Sequence, residues 1–230
     1  MRILTVLFFF LLSLSSLADK KTIGIYVHYP IADPECADSL KRVLINDYNI
    51  VYLKHKTLTS DNLNRLNLIA FPGGLGDSDK FDDLLLDKKD IVQNYIKNGG
   101  AYLGICMGAY FAGHYYFDIL KDIDTVRYIK RPFADIERED ETIAKIKWNN
   151  NPYKMYFFDG CAIIGNPSKM RVISTHMNND PMAAIQGKIG LIGCHPESQK
   201  DWYITKEMKP HWHNGEHHKL LLDFVNELLK

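Results

Sequence analysis

Gly104-Ile105-Cys106-Met107-Gly108 sets a cysteine between two glycines, each two residues away. A sharp strand-to-helix turn crowds backbone on both sides of its central residue. Such a turn therefore needs glycine at those flanking positions while the nucleophile points outward. Cys106 would then sit at a helix N-terminus, whose positive end favours thiolate over thiol. The same five residues also suit a structural cysteine whose glycines merely let a helix pack closely. A second segment, His195-Pro196-Glu197, supplies what a thiol nucleophile needs. Pro196 biases His195 towards extended backbone, the imidazole can accept the thiol proton, and a carboxylate two residues on can orient the ring and stabilise imidazolium. Taken alone, this segment also fits a surface turn. A thiol attacking an acyl carbon further requires donors for the developing oxyanion. Pro72-Gly73-Gly74-Leu75-Gly76 offers a loop in which backbone N–H groups can approach a substrate, and Gly73, Gly74 and the amide of Met107 are the candidates. This loop lacks the Lys-Ser/Thr ending of a phosphate-cradling P-loop.

The elements that must position these residues alternate along the first half of the chain. Thr22 to His28, Ile50 to Leu53, Leu68 to Phe71 and Ala101 to Ile105 read as strands. Asp38 to Asp47, a short turn capped by Ser60-Asp61, Asp90 to Lys97 and Met107 to Tyr115 read as helices. That β-α-β-α order predicts an α/β fold with a mainly parallel sheet flanked by helices, and functional loops at the carboxyl ends of its strands. From Ala134 onward the texture becomes strand-rich, over Ile143 to Trp148, Met155 to Phe158, Met170 to Thr175, Met182 to Ile185 and Ile189 to Cys194. Gln186-Gly187-Lys188 reads as a hairpin turn, so antiparallel strands are added to the sheet in the second half. Glu216 to Leu229 closes the chain as an amphipathic helix.

The bulk numbers narrow the partners. With 28 basic and 28 acidic residues there is no surplus to favour nucleic acid, and a 46% hydrophobic, 24% charged composition is that of a folding chain. Met1-Arg2, the apolar run Ile3 to Leu12 and Ser16-Leu17-Ala18 have the order of a cleaved signal peptide over residues 1–18. The run is shorter than the roughly 20 residues that span a bilayer. The expectation is an exported protein, periplasmic or secreted, with one domain over residues 19–230 and no stable membrane span after cleavage. Export permits disulfides, but the pairing state of Cys36, Cys161 and Cys194 is open, and a disulfide at Cys106 would undercut its catalytic role. His211, His213, His217 and His218 cluster near the C-terminus in no defined metal spacing, and read as a solvated loop ahead of the closing helix. Trp202 and Trp212 bracket that stretch. No metal and no cofactor are called for.

PGGLG, GGAYLGICMGAY and GCHPES, in that order, resemble the class I glutamine amidotransferase superfamily, which has a flavodoxin-like fold. More narrowly, GGAYLGICMGAYFAG with the later YFFDGC looks like the amidotransferase-like N-terminal domain of biotin-protein ligases. The resemblance implies a Cys-His-Glu triad of Cys106, His195 and Glu197 with an oxyanion loop at Gly73 and Gly74. The ligase's own catalytic domain has no counterpart in this sequence, so ligase activity is not expected. What remains is an exported thiol-dependent amidase or acyl transferase acting on a small-molecule amide or acyl substrate, or a glutamine-fed unit serving an unseen synthase partner. A non-catalytic small-molecule-binding protein on the same fold, and a redox-responsive cysteine protein, are the rival readings.

Overall fold

The computed structural model describes residues 20–75 and 78–230. The expected signal peptide over residues 1–18 and Gly76 of the glycine loop lie outside them. In chain order the elements are β1 (Thr22–Tyr26), α1 (Pro34–Leu44), β2 (Asn49–Leu53), α2 (Ser60–Leu63), β3 (Leu68–Phe71), α3 (Ser78–Leu84), α4 (Lys89–Lys97), β4 (Ala101–Ile105) and α5 (Met107–Phe111). Then follow β5 (Ile123–Arg127), β6 (Thr142–Trp148), β7 (Asn151–Phe157), β8 (Cys161–Gly165), β9 (Arg171–His176), β10 (Pro181–Gln186), β11 (Ile189–Ile192) and α6 (Glu216–Leu228).

Nine strands form one sheet in the order β2-β1-β3-β4-β11-β10-β9-β6-β7. From β2 to β11 all pairs are parallel, and from β11 to β7 all are antiparallel. The expected parallel core with antiparallel additions is therefore what forms. Period-two alternation assigns the faces: Leu68 and Ala70 join one core, with α1 and α6, whereas Ile69 and Phe71 join the other, with α2 to α5. Both faces are covered, so the central strands β3, β4 and β11 are buried along their whole length. The hairpin turn at Gln186-Gly187-Lys188 forms as read, with Gly187 at a φ of 57°.

Several boundaries differ for local reasons. The first helix begins at Pro34 rather than Asp38, because Asp33 caps it by accepting from the amide of Glu35 at 2.8 Å and Pro34 fixes its first turn. Thr59, not Ser60 or Asp61, caps α2. The helix after Cys106 stops at Phe111 instead of Tyr115, and the following chain folds back through a bond from Asp118 N to Gly113 O. β11 ends at Ile192, two residues short of Cys194, where Gly193 lies against the backbone of Cys161. A two-stranded antiparallel sheet, β5 with β8, was not foreseen.

Candidate active site

The carboxyl ends of β1, β3, β4 and β11 converge on one cavity of about 300 Å³, the position that parallel α/β sheets give to ligands. Cys106 follows β4 directly and caps α5 with φ 50° and ψ −109°. Its N–H donates to Ile192 O at 2.8 Å and its carbonyl accepts from Ala109 N at 3.0 Å, so both ends of the turn are pinned. The flanking glycines are sterically required: a Cβ on Gly104 would lie 2.3 Å from Gly108 O, and one on Gly108 would lie 1.8 Å from Phe71 O. Cys106 is 4% exposed and its thiol donates to Phe158 O at 3.4 Å.

His195 enters the same cavity after β11, with its own N–H bonded to Tyr156 O at 3.0 Å. Its Nδ1 donates to Glu197 Oε1 at 2.9 Å, and both side chains are buried. Nε2 has no hydrogen-bond partner among the described residues, so the nitrogen that would take a proton is unengaged. Burial lowers the basicity of this imidazole, but a thiolate at Cys106 and the Glu197 carboxylate more than reverse that and push its pKa up, favouring imidazolium. Tyr156 and Trp202 meet the ring edge-to-face, at centroid separations of 5.7 and 5.5 Å. In the resting arrangement the Cys106 thiol is engaged by Phe158 O, and Cys106 and His195 line the same cavity.

Gly74 lines the cavity, and it must be glycine because a Cβ would lie 2.2 Å from Ile31 O. Gly73 sits behind it against the imidazole, where a Cβ would meet His195 Cε1 at 2.6 Å and Cys36 Sγ at 3.2 Å. Met107 is the first residue of α5, and its N–H has no acceptor inside the helix. Its side chain is not among the cavity-lining residues. All six residues singled out from the sequence therefore gather around one point of the fold, although three segments far apart in the chain deliver them.

Other residues were not singled out. Cys36, on the first turn of α1, lines the cavity, and one ligand atom each from Cys36, His195 and Glu197 lie within 4.8 Å of one another. That trio is the one set among the described residues that could hold a metal ion. Asp33, Glu35, Glu141 and Asp201 stand around the cavity with Tyr156, Phe158 and Trp202. The rule that loops after parallel strands carry function would have nominated Asp33, Glu35 and Cys36, which follow β1. No sequence pattern would have nominated Glu141 or Asp201. All four cysteines are free thiols, and burial raises the thiol pKa of Cys36, Cys161 and Cys194.

The histidine stretch departs from the expectation of a solvated loop. His217 and His218 belong to the first turn of α6, and His217 is 3% exposed. Both donate from Nε2 to Ser198 O, at 3.1 and 2.8 Å, which fastens the segment after Glu197 to the closing helix. Trp212 packs edge-to-face on both rings.

This fold is of the glutamine amidotransferase kind. It superposes on a glutamine amidotransferase from Thermotoga maritima with a TM-score of 0.66 at 12% identity, covering 91% of this chain and 98% of that one. PurLQS from the same organism gives 0.62 at 15% identity over 92% and 100% of the two chains. A putative GMP synthase subunit from Thermoplasma acidophilum gives 0.57 at 16% identity over 90% and 98%. In sequence, residues 31–122 match the family described as "Biotin-protein ligase, N terminal". That span contains the glycine loop and Cys106 and ends before His195 and Glu197. No curated protein matches the chain.

Proposed function

We propose that the protein is a thiol-dependent amidohydrolase or acyl transferase. Once the Cys106 proton has passed to His195 Nε2, forming a thiolate–imidazolium pair, the Cys106 sulfur attacks the carbonyl carbon of an amide. The same imidazolium then returns the proton to the departing nitrogen, leaving a thioester on Cys106. Water or an acceptor amine, deprotonated by His195, attacks that thioester and restores the thiol. Glu197 fixes the ring through Nδ1 and balances its charge, and the amides of Gly74 and Met107 are the donors for the oxyanion. The observation that carries this reading is a cysteine held at a positive-φ turn beside a buried imidazole whose Nδ1 is engaged by a carboxylate at 2.9 Å and whose Nε2 has no partner among the described residues.

Residues 1–18 support the further proposal that the enzyme works outside the cytosol. Hydrolysis or transfer of a small-molecule amide needs no ammonia-consuming partner there, so we favour it over service to a synthase. The test exposes the full chain to a library of amides and to an electrophilic glutamine mimic, and reads intact mass. An acyl or probe adduct on Cys106 that is absent from Cys106→Ala and lost from His195→Gln supports the reading. A library that leaves no adduct, with the thiol intact, favours a binding protein instead, and modification by peroxide alone favours a redox-responsive cysteine.

A further inference from the structure

The charges around the cavity point to the kind of amide it takes. Four of the residues lining it are carboxylates: Asp33 and Glu35 at the start of α1, Glu141 just before β6, and Asp201 beside Trp202. No lysine or arginine is among the lining residues. None of the four forms an ion pair among the described residues, although Asp33 caps α1 with one oxygen. At the cavity floor the one group able to carry positive charge, His195, is already paired with Glu197 at 2.9 Å. Three aromatic residues, Tyr156, Phe158 and Trp202, line the cavity as well, and aromatic rings attract cations. Two buried polar atoms, His195 Nε2 and Trp202 Nε1, lack partners among the described residues, and both side chains line this cavity. A chain of average composition, with equal numbers of acidic and basic residues, has thus put only acids around this opening.

We infer that the cavity selects amides bearing a protonated amine or guanidinium, and disfavours acyl donors whose distal group is a carboxylate. This rests on the reading of the cavity as the seat of the Cys106 thiol, and deepens it. The cation sits among the aromatic rings and the carboxylates while the amide carbon lies over the sulfur. Each carboxylate, taken at about 8 Å, changes affinity for a single charge roughly twofold in water, so the four together give roughly 15-fold between a cationic and a neutral ligand at low salt, and screening erodes it.

The test uses three chloroacetamides of one length whose far ends carry an ammonium, a hydroxyl or a carboxylate. Labelling rates of Cys106 in the full chain are read by intact mass at low and high salt. The expected order is cation, neutral, anion, with a spread of tenfold or more that shrinks in salt and in Glu35→Gln/Asp201→Asn. A flat or reversed order, or one that survives both the salt and the double substitution, overturns the inference. Binding of the three parent amides to Cys106→Ala, followed through the Trp202 indole resonance, must give the same order without any chemistry, and a flat order there overturns it equally. The two readings fail separately. Charge-ordered binding with no acyl adduct leaves the cation preference and removes the enzyme, whereas amide turnover without charge preference does the reverse.

Discussion

Glu197→Gln is the substitution that isolates charge from geometry at this site. Glutamine keeps an oxygen where Glu197 Oε1 accepts from His195 Nδ1 at 2.9 Å, but removes the negative charge from a side chain with no exposure. Hydrogen bonds to charged groups contribute about 1.5–3 kcal/mol, and one pKa unit corresponds to about 1.4 kcal/mol. Deprotonation of the His195 imidazolium, which Glu197 helps push above the ordinary histidine range, should therefore move down by about one to two pH units. The sign follows from the cause: Glu197 favours the charged ring, so losing it favours the neutral one. Two readouts apply, the imidazole Cε1–H resonance of His195 titrated against pH, and the pH profile of amide turnover, which needs the imidazolium to protonate the departing nitrogen. The alkaline limb of that profile should fall back by the same interval. A midpoint that stays in place, or that moves equally in the surface control Asp223→Asn, would refute the account of how Glu197 acts.

Other expectations follow from individual contacts. Gly108→Ala forces a Cβ to 1.8 Å from the carbonyl oxygen of Phe71, a backbone atom that cannot rotate away. Overpacking of about 1–3 kcal/mol should lower the melting temperature by roughly 3–10 °C in calorimetry, and an unchanged melt would contradict the packing described. Gly73→Ala meets the edge of His195 at 2.6 Å instead, so it should spare the melt but displace the ring and reduce amide turnover up to roughly 100-fold. Burial depresses the pKa of His176 and of His217 to about 4, below the ordinary 6.5. The unfolded chain then takes up protons that the folded one refuses, so stability should fall as pH drops from 6.5 to 4. Denaturant midpoints across that range should flatten in His176→Asn/His217→Asn, and an equal slope in both proteins would remove these rings as the cause.

How far the sequence reaches into this structure depends on how local the cause is. The elbow at Cys106 was legible because glycine at positions 104 and 108 answers a steric demand within one turn, and the distances to Gly108 O and Phe71 O show that demand directly. Strands β3, β4 and β11 were legible as apolar runs flanked by glycines, since a sheet covered on both faces leaves no polar alternation to confuse. The Asp33-Pro34 cap begins the helix four residues ahead of Asp38, where the amphipathic periodicity becomes strong, so periodicity alone starts the helix too late. The small β5–β8 sheet and the rim carboxylates Glu141 and Asp201 depend on pairings between residues far apart in the chain, and no local pattern encodes those. His217 reads as polar in sequence and is buried because Ser198 O and the Trp212 ring wait for it across the fold.

Backbone strain gives an independent reason to place function at residue 106. Ten non-glycine residues among those described have positive φ, and seven of them are asparagine or aspartate, the types that tolerate that region. Of the other three, Phe133 and His213 are exposed, while Cys106 is buried. Its ψ of −109° also sets it apart from an ordinary left-handed turn, where ψ lies near +47°. Such a conformation costs on the order of 1–3 kcal/mol and persists only where its surroundings over-determine it. Here they do so through a bond from each end of the residue, to Ile192 O and from Ala109 N, and through two glycines that admit no side chain. A cysteine needed only for packing could adopt a relaxed conformation with the sulfur turned into the core. The strained one instead stands in the lining of the cavity that His195 also lines, a placement that a nucleophile requires and a filler does not.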